Sequence, residues 1–271
     1  MDFSKIKMVV SDMDGTLLNS KHEVNPSFFE LYKALKENNI QFVAASGRQY
    51  HSILEKLRPI KDEIIFIAEN GGFVMHKGQE MLSTPLLNGA KETVLQLLEA
   101  QKDIHPVLCA KDKAHISGRS SAFKEKLEEY YSSYSVWEDL NDHTGEIIKI
   151  ALYHFESSEK HIYPLVEHLE DTCKVKISGE NWVDISSPLA HKGHALQQIM
   201  DDQQISADEI MVFGDYNNDL EMMALSNYSV AMDNAHPNVK KIAKLMTSHN
   251  DDRGVERILE QVLSKRSGGA L

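Results

Sequence analysis

The 271-residue chain has few cysteines, and the two that it has, Cys109 and Cys173, lie far apart in sequence. They form no CxxC pair, and no run of histidines and cysteines at metal-ligand spacing accompanies them. Such patterns are what disulfide-rich domains and structural zinc sites require. The sequence therefore predicts neither, and we expect both thiols to be reduced and packed.

Long apolar runs are also missing from the sequence. No stretch of about 20 apolar residues, the length needed to cross a bilayer, occurs anywhere in the chain. The N-terminus lacks the basic segment and following apolar stretch of a secretory signal. We therefore expect a cytoplasmic location and no membrane partner.

Positive charge is scarce, since 29 lysines and arginines face 41 aspartates and glutamates, for a net charge of -12. This charge repels polyphosphate backbones, so nucleic acid is not an expected partner. An anionic small ligand would need local cations. The chain also has no GxxxxGK[ST] loop, and no GxGxxG follows its first strand, so the usual nucleotide and dinucleotide motifs are absent.

What is present is the composition of a globular protein, with 42% hydrophobic and 26% charged residues. The length exceeds the roughly 100–200 residues of a typical domain, which favours two domains. The chain begins with a βαβ pattern: the run "KIKMVVS", a helix opened by Asn25 and Pro26, and the run "IQFVAASG". That helix places Phe28, Leu31 and Leu35 on one face and is expected to end at "ENN".

The regular pattern changes after the third strand-like run, "EIIFIAE" at 63–69. The next stretch, "NGGFVMHKGQEML", has turn dipeptides around two short apolar runs and predicts a β-hairpin. From about Thr84 to Ser187 the pattern is that of a separate α+β insert. Its predicted elements are a helix over 89–101, strands near 105–117, a polar helix over 121–131, and strands in 146–155 and 173–179.

The α/β pattern returns after Pro188. It comprises a helix from about His191, the strand "EIMVFGD", a helix after Asn217, the strand "YSVAMD" and a last helix ending near Ser264, with an irregular tail over 265–271. The predicted fold class is therefore α/β, a doubly wound parallel-sheet core with an inserted α+β domain. We assign residues 1–85 and 188–271 to the core and residues 86–187 to the insert.

Two aspartates follow the first strand directly. Side chains alternate along a strand, so Asp12 and Asp14 leave it on the same side, whereas Met13 points the other way. Two carboxylates about 4 Å apart repel by roughly 4 kcal/mol at an effective dielectric near 20, so a cation is expected between them. Carboxylates with backbone oxygens and water are the ligands that Mg²⁺ prefers.

Three further stretches fall where the same rim of the sheet is expected, because ligands bind at the carboxyl ends of parallel strands. Ser46, Gly47 and Arg48 follow the second strand and offer a hydroxyl and an amide suited to phosphate oxygens. Lys192 begins a helix and offers a cation. The stretch "GDYNND" brings a third acid, Asp215, with Asn218 and Asp219 a turn away.

An EF-hand calcium-binding loop is an alternative interpretation of "DYNND", because Asp215, Asn217 and Asp219 match the first three ligand positions of such a loop. That interpretation fails, since Leu220 occupies the required glycine position and Ser226 the position of the closing glutamate.

Taken in order, "DMDGT", "SGR", the "KG" lysine and "GDYNND" resemble the motifs of the haloacid dehalogenase (HAD) superfamily, and in particular its Cof-type branch of phosphatases. The stretches "ENGG", "VAMDNA" and "TSHNDDRGVERIL" also match that branch in order, and the insert resembles its C2B-type cap. The resemblance implies a HAD-like core. Two positions depart from the branch, with Asp233 in place of a usual glycine and Ser46 in place of a frequent threonine.

The resemblance also implies roles for individual residues. Asp12 would be the nucleophile and a metal ligand, and Asp14 would be the general acid and base, its main-chain carbonyl also binding Mg²⁺. Asp215 would complete the protein's metal ligands. The phosphoryl group would be held by the Met13 amide, Ser46, Gly47, Lys192 and Asn218. Thr16, Arg48 and Asp219 would support these groups without touching the substrate.

The implied activity is that of a Mg²⁺-dependent phosphatase of small cytoplasmic phosphometabolites such as sugar phosphates, acting through an aspartyl-phosphate. Two alternatives stay open: a phosphomutase or phosphotransferase with the same intermediate, and a non-catalytic sensor that binds phosphometabolites. The substrate itself would be chosen by residues of the insert, for which Asp184, Trp182 and Arg119 are candidates.

Overall fold

The computed structural model describes residues 3–131 and 133–267. Within that part of the chain, no helix is both long and apolar enough to cross a membrane. The strands are β1 (Met8–Asp12), β2 (Gln41–Ala45), β3 (Ile65–Ala68), β4 (Phe73–His76), β5 (Gln79–Ser83), β6 (Ile104–Cys109), β7 (Ala114–Ser117), β8 (Tyr134–Trp137), β9 (Lys149–His154), β10 (Lys174–Ile177), β11 (Trp182–Ser186), β12 (Ile210–Gly214), β13 (Tyr228–Ala231) and β14 (Leu245–Met246). The helices are α1 (Pro26–Glu37), α2 (Tyr50–Lys56), α3 (Ala90–Leu97), α4 (Ser121–Leu127), α5 (Ser158–His161), α6 (Tyr163–Val166), α7 (Lys192–Gln203), α8 (Leu220–Ala224), α9 (Pro237–Ile242) and α10 (Gly254–Ser267).

The chain forms two units. Residues up to Met81, together with those from His191 onward, form one unit, and Leu82–Ala190 form the other. This division, together with the parallel pairing of β1 with β2 and β12 in the first unit, confirms the predicted fold class, a parallel-sheet α/β core interrupted by an α+β segment.

The first unit is built on a sheet with the strand order β14-β13-β12-β1-β2-β3-β4-β5. Strands from β14 to β3 pair in parallel, and β4 pairs antiparallel to β3. The order runs outward from β1 in both directions, so a topological switch point lies between β1 and β12. Every residue of β1 and of β12 is buried, which leaves the loops that follow these strands to form a site at the switch point.

Local sequence signals account for the first helix and the hairpin. Asn25 caps α1 by accepting a hydrogen bond from the Ser27 amide at 3.0 Å, as its short side chain favours. The buried residues of α1 are Phe28, Tyr32 and Leu35. The buried face therefore includes Tyr32 in place of the predicted Leu31, which is partly exposed. The hairpin of β4 and β5 turns at Lys77 and Gly78, both with positive φ, as tight hairpin turns require.

The second unit contains a sheet with the order β10-β11-β9-β6-β7-β8, in which β7 and β8 pair in parallel and the other neighbouring strands pair antiparallel. Alternate residues of its strands enter two separate apolar clusters. Ile150, Leu152 and Val183 belong to the cluster that includes residues of α3 and α6. Ala151 and Tyr153 belong to the other, which includes Phe123 and Leu127 of α4. The sheet is therefore covered on both faces.

Several predicted boundaries in the insert and at the C-terminus are wrong. The helix predicted over 89–101 ends at Leu97, and the one predicted over 121–131 ends at Leu127. The elements β8, β11, α5 and α6 were not predicted, because segments of four or five residues are too short for a period to show. Near the C-terminus, α10 continues past Ser264 to Ser267, so the expected irregular tail is helical at its start; residues 268–271 lie outside the described chain.

Candidate active site

Asp12 stands at the end of β1 and is almost fully buried, with 5% of its surface exposed. The next residues form a tight loop in which the Met13 carbonyl accepts hydrogen bonds from the amides of Thr16 and Leu18. Gly15 has a φ of +76° and lies so close to the Asp215 carboxylate that a Cβ at this position would collide with it. The glycine of "DMDGT" is therefore required both by backbone conformation and by the approach of Asp215.

Lys192, the first residue of α7, binds the carboxylates of Asp12 and Asp219. Its Nζ donates to Asp12 Oδ1 at 2.5 Å and to Asp219 Oδ1 at 2.7 Å. Its side chain is fully buried. The glycine that follows lets α7 begin against α8, because a Cβ on Gly193 would collide with the main chain of Glu221. The sequence pair "KG" thus combines a buried cation with the close helix contact that places it.

Asp219 is fully occupied by partners from the protein. Its Oδ1 accepts from Lys192, and its Oδ2 accepts from the main-chain amides of Asp215 and Tyr216 at 3.0 and 3.1 Å. Buried charges in proteins are retained when they are paired and hydrogen-bonded in this way. Through these hydrogen bonds Asp219 holds Lys192 and the loop after β12 in place.

Asp215 completes the cluster. Its Oδ1 accepts a hydrogen bond from the Thr16 hydroxyl at 2.9 Å. One oxygen from each of Asp12, Asp215 and Asp219 can be chosen such that all lie within 4.8 Å of one another. Because both oxygens of Asp219 already have partners, Asp12 and Asp215 are the carboxylates better placed to hold a cation.

The protonation equilibria of the acids also fit a cation. Burial raises the pKa of Asp12 well above its ordinary value, with Lys192 opposing the rise and the charges of Asp219 and Asp215 adding to it. Burial and the charge of Asp219 raise the pKa of Asp215 to about 6. For Lys192, burial would lower the pKa, but the Asp12 and Asp219 carboxylates outweigh it and raise the pKa. A bound divalent cation would stabilise the ionised acids, and oxygen donors of this kind suit hard cations.

Asp14 leaves the strand end toward Arg48. The guanidinium donates from Nε to Asp14 Oδ2 at 2.7 Å and from Nη2 to Oδ1 at 2.6 Å, and His22 Nδ1 lies 3.2 Å from the same Oδ1. Burial would raise the pKa of Asp14, but the hydrogen bonds and charge of Arg48, followed by those of His22, hold it below its ordinary value. Neither the Arg48 pairing nor the contribution of His22 was predicted from the sequence.

The predicted phosphate-binding residues lie at neighbouring strand ends. The Ser46 hydroxyl accepts from the Arg48 amide at 3.1 Å. The main-chain carbonyl of Ser46 accepts a hydrogen bond from the main-chain amide of Asn70 at 2.9 Å. The Asn70 side chain lies against Gly47 and accepts a hydrogen bond from Asn218 Nδ2 at 3.0 Å. Asn70 therefore links Ser46, Gly47 and Asn218, a role that was not predicted from the sequence although Asn70 belongs to the "ENGG" stretch.

The candidate specificity residues of the second unit have different surroundings. Asp184 Oδ2 lies 3.3 Å from Lys149 Nζ, and both side chains are largely buried. Trp182 packs against Tyr130, Tyr131 and Tyr153. Arg119 is exposed.

Comparison with known proteins agrees with the motifs. A family model described as haloacid dehalogenase-like hydrolase matches residues 9–259. The 5-amino-6-(5-phospho-D-ribitylamino)uracil phosphatase YbjI of Escherichia coli K12 is 30% identical, over 95% of this chain and 96% of its own length. The phosphatase YitU of Bacillus subtilis 168, named for the same compound, is 26% identical over 96% and 99% of the two chains. The crystal structure of SMU.1108c from Streptococcus mutans UA159 superposes with a TM-score of 0.85 at 28% identity, covering 96% and 99% of the two chains.

The chain belongs to the haloacid dehalogenase-like hydrolases. The predicted resemblance to this superfamily is confirmed, and the chain is an enzyme of this family.

Proposed function

We propose that this enzyme is a Mg²⁺-dependent phosphomonoester hydrolase of small cytoplasmic phosphometabolites, sugar phosphates among them, and that it acts through an aspartyl-phosphate on Asp12. The observation that carries the proposal is the surroundings of Asp12. Its carboxylate is buried at a strand end and bound at one oxygen by the fully buried Lys192, with Asp215 beside it. A pocket that only bound phosphate would gain nothing from placing carboxylates against a dianion.

Asp12 is the nucleophile in this proposal. One of its oxygens forms a bond to phosphorus while the bond from phosphorus to the ester oxygen breaks, which divides the hydrolysis into two easier steps. Lys192 opposes the rise that burial causes in the pKa of Asp12 and holds one of its carboxylate oxygens in place. In the second step, water attacks phosphorus, the bond to Asp12 breaks and inorganic phosphate leaves.

The metal ion would be held by Asp12, Asp215 and the main-chain carbonyl of Asp14. When bound, Mg²⁺ would offset the negative charge that the acids and the phosphoryl group bring together. Thr16 orients the Asp215 carboxylate toward this position through its hydroxyl. Asp219 accepts hydrogen bonds from Lys192 Nζ and from the Asp215 amide, and so holds both in place.

Asp14 is proposed to donate a proton to the departing alcohol and to accept one from the attacking water. In the structure both of its oxygens are engaged by Arg48. Arg48 thus orients Asp14, and Oδ2, which accepts from Arg48 Nε, keeps a second lone pair for the proton that passes to the leaving-group oxygen.

The phosphoryl oxygens would be held by the Met13 amide, the Ser46 hydroxyl, Gly47, Lys192 and the Asn218 amide. These donors come from four separate loops and helix starts, and preorganised donors are most effective where charge develops in the transition state. Asn70 supports the arrangement, since it accepts from Asn218 and packs on Gly47.

The compound named for two relatives, 5-amino-6-(5-phospho-D-ribitylamino)uracil, is a phosphomonoester of a sugar alcohol and so belongs to the proposed class. We therefore propose to test it beside sugar phosphates, nucleotides, pyridoxal phosphate and flavin mononucleotide. The measurement is release of inorganic phosphate, with excess Mg²⁺, with chelator, and with chelator followed by Mg²⁺.

We expect phosphate release that chelation abolishes and Mg²⁺ restores. An isomeric phosphate ester formed without free phosphate would identify a phosphomutase or phosphotransferase instead. Tight binding of a phosphometabolite, with no phosphate released above a blank by metal-loaded protein, would identify a sensor. Full activity in chelator would exclude the proposed mechanism.

A further inference from the structure

The loop after β13, residues 232–236, is joined to the catalytic loop, residues 13–20 after β1, by the side chain of Asn234. Asn234 Nδ2 donates to the main-chain carbonyl of Gly15 at 2.7 Å. Its Oδ1 accepts a hydrogen bond from the main-chain amide of Asn250 at 3.1 Å. The two bonds use opposite ends of one side-chain amide, so the position needs a group that both donates and accepts.

Asn250 makes a second bond to the same catalytic loop. Its Nδ2 donates to the main-chain carbonyl of Leu18 at 2.8 Å. The next residue, Asp251, accepts from the main-chain amide of Ser20 through Oδ1 at 2.7 Å. Residues 15 to 20 are thus held at three points by side chains from two segments more than two hundred residues away.

The loop after β13 also contacts the other side of the acid cluster. The main-chain amide of His236 donates to the main-chain carbonyl of Asp215 at 2.8 Å. Asp215 in turn lies against Gly15 and accepts from Thr16. One short loop therefore holds both the carbonyl of Gly15, the residue after Asp14, and the main chain of Asp215, the third acid.

We propose that Asn234 and Asn250 are positioning residues that fix the loop after Asp12 relative to Asp215 and thereby set the affinity of the cation site. The inference rests on the proposed function, because it takes Asp12, Asp215 and the Asp14 carbonyl as the ligands. Without the bond from Asn234, the peptide between Gly15 and Thr16 keeps the longer hydrogen bond from the Thr16 amide to the Met13 carbonyl, at 3.3 Å. It can then shift, and it moves the Thr16 hydroxyl and, through Gly15, the Asp14 carbonyl. Groups that orient metal ligands typically change metal affinity or activity by about 10- to 100-fold when they are removed.

A purely structural role predicts a different result. The contacts would then contribute to the stability of the fold, and the folded fraction of a variant would bind the cation as the wild type does. The readout must therefore be the affinity of folded protein for the cation, measured without substrate.

The experiment is a titration of the full chain with Mn²⁺, following free Mn²⁺ by electron paramagnetic resonance, with Mg²⁺ calorimetry in parallel. The variants are Asn234→Ala, Asn250→Ala and Asp215→Asn. Asn227→Ala is the matched control, because its exposed side chain also donates one hydrogen bond, at 2.7 Å to Asp208, which lies outside residues 15–20 and the loop after β13. Circular dichroism of each variant measures the folded fraction.

We expect Asn234→Ala to raise the dissociation constant about 10-fold or more, Asn250→Ala to raise it about threefold or more, and Asn227→Ala to leave it unchanged. A folded Asn234→Ala variant with a dissociation constant within twofold of the wild type would overturn the inference. If Asn234→Ala does not fold, Asn250→Ala decides, and an unchanged constant there overturns it.

The proposed function fails differently in the same titration. If the wild type binds no cation, or if Asp215→Asn binds as well as the wild type, the ligand assignment is wrong and both proposals fall. If the wild type binds and Asp215→Asn does not, while Asn234→Ala binds normally, only the positioning role is lost.

Discussion

Arg48 binds the Asp14 carboxylate with two hydrogen bonds, from Nε to Oδ2 at 2.7 Å and from Nη2 to Oδ1 at 2.6 Å. Paired hydrogen bonds of this kind are among the stronger polar contacts in proteins and fix the plane of the carboxylate. They hold Asp14 ionised and turned toward Arg48, whereas Asp12, two residues earlier, is turned toward Lys192. Two aspartates that look alike in sequence therefore have separate cationic partners.

The Arg48 contact predicts a leaving-group effect. In Arg48→Met, Asp14 loses the partner that orients it, so reactions that need a proton for the departing alcohol should slow the most. We expect kcat for alkyl phosphates to fall about 10-fold or more, with the roughly 100- to 10,000-fold contribution of general acid–base catalysis as the upper limit. With p-nitrophenyl phosphate, whose leaving group hardly needs a proton, the loss should be under about threefold by the same argument.

Arg58→Met is the control for this prediction, because Arg58 is exposed. Equal losses with alkyl and aryl substrates would mean that Arg48 acts on binding or folding and not through Asp14.

Replacing each aspartate by asparagine should separate their roles. Asp12→Asn removes the nucleophile, so neither steady turnover nor any early release of nitrophenol is expected. Asp14→Asn keeps the nucleophile but removes the acid and base, so p-nitrophenyl phosphate should give a burst approaching one equivalent of nitrophenol and then a much slower rate. Rapid-mixing absorbance measures both phases.

Alkyl phosphates should show neither phase with Asp14→Asn. If that variant turned over alkyl substrates like the wild type, or if Asp12→Asn gave the burst, the roles assigned to the two aspartates would be reversed or wrong.

Lys192 is expected to be important for stability as well as catalysis. Lys192→Met leaves Asp12 and Asp219 buried without their cation, and breaking a buried ion pair on one side costs about 3–5 kcal/mol of unfolding free energy. The double variant Lys192→Met with Asp219→Asn removes one of the stranded charges, so it should recover part of that loss while staying inactive. Urea unfolding of the metal-free proteins measures the difference.

Recovery of activity in the double variant would contradict the assignment of Lys192 to the phosphoryl site. A single variant as stable as the wild type would show that water or ions enter the cluster freely.

His115 predicts an acid sensitivity of the second unit. Its Nδ1 lies 3.0 Å from Trp137 Nε1. The Ser135 hydroxyl lies 2.7 Å from His115 Nδ1 and 3.1 Å from Trp137 Nε1, so the imidazole, the indole and the hydroxyl form one hydrogen-bonded group in which the indole N–H can only donate. Burial, and then the charge of His143, lower the pKa of His115 below its ordinary 6.5. The folded protein therefore binds a proton at His115 less well than the unfolded chain, and the stability that the neutral ring contributes is present above pH 6.5 and lost as the pH falls below it.

We expect the melting temperature to fall between pH 7.5 and 5.5, and to fall less in His115→Asn, whose Oδ1 can accept from Trp137 without titrating. His168→Asn, at an exposed position, is the control and should follow the wild type. A drop as large in His115→Asn as in the wild type would assign the sensitivity to other groups.

The sequence by itself determined the components of the site, because the motifs are local. Asp12 ends β1 and Asp14 follows two residues later, so "DMDGT" puts both acids at the carboxyl end of the strand. The same motif contains the glycine that its loop requires. Parallel strands place their carboxyl ends on one edge, so "SGR" and "GDYNND" could be expected near those acids. The cap of α1 at Asn25 and the turn at Lys77 and Gly78 are equally local, and the structure has both.

Only the tertiary structure decided which side chains of different loops meet. Arg48 could have bound substrate, solvent or Asp14, and its position two residues after Ser46 does not distinguish these. The hydrogen bonds from Asn218 to Asn70 and from Asn234 to Gly15 join residues 148 and 219 positions apart in the sequence. Such contacts depend on strand order and on the close approach of loops at the switch point, since hydrogen bonds need partners within about 3 Å. A motif specifies the backbone of its own loop, whereas its partner is set by the fold that brings the loops together.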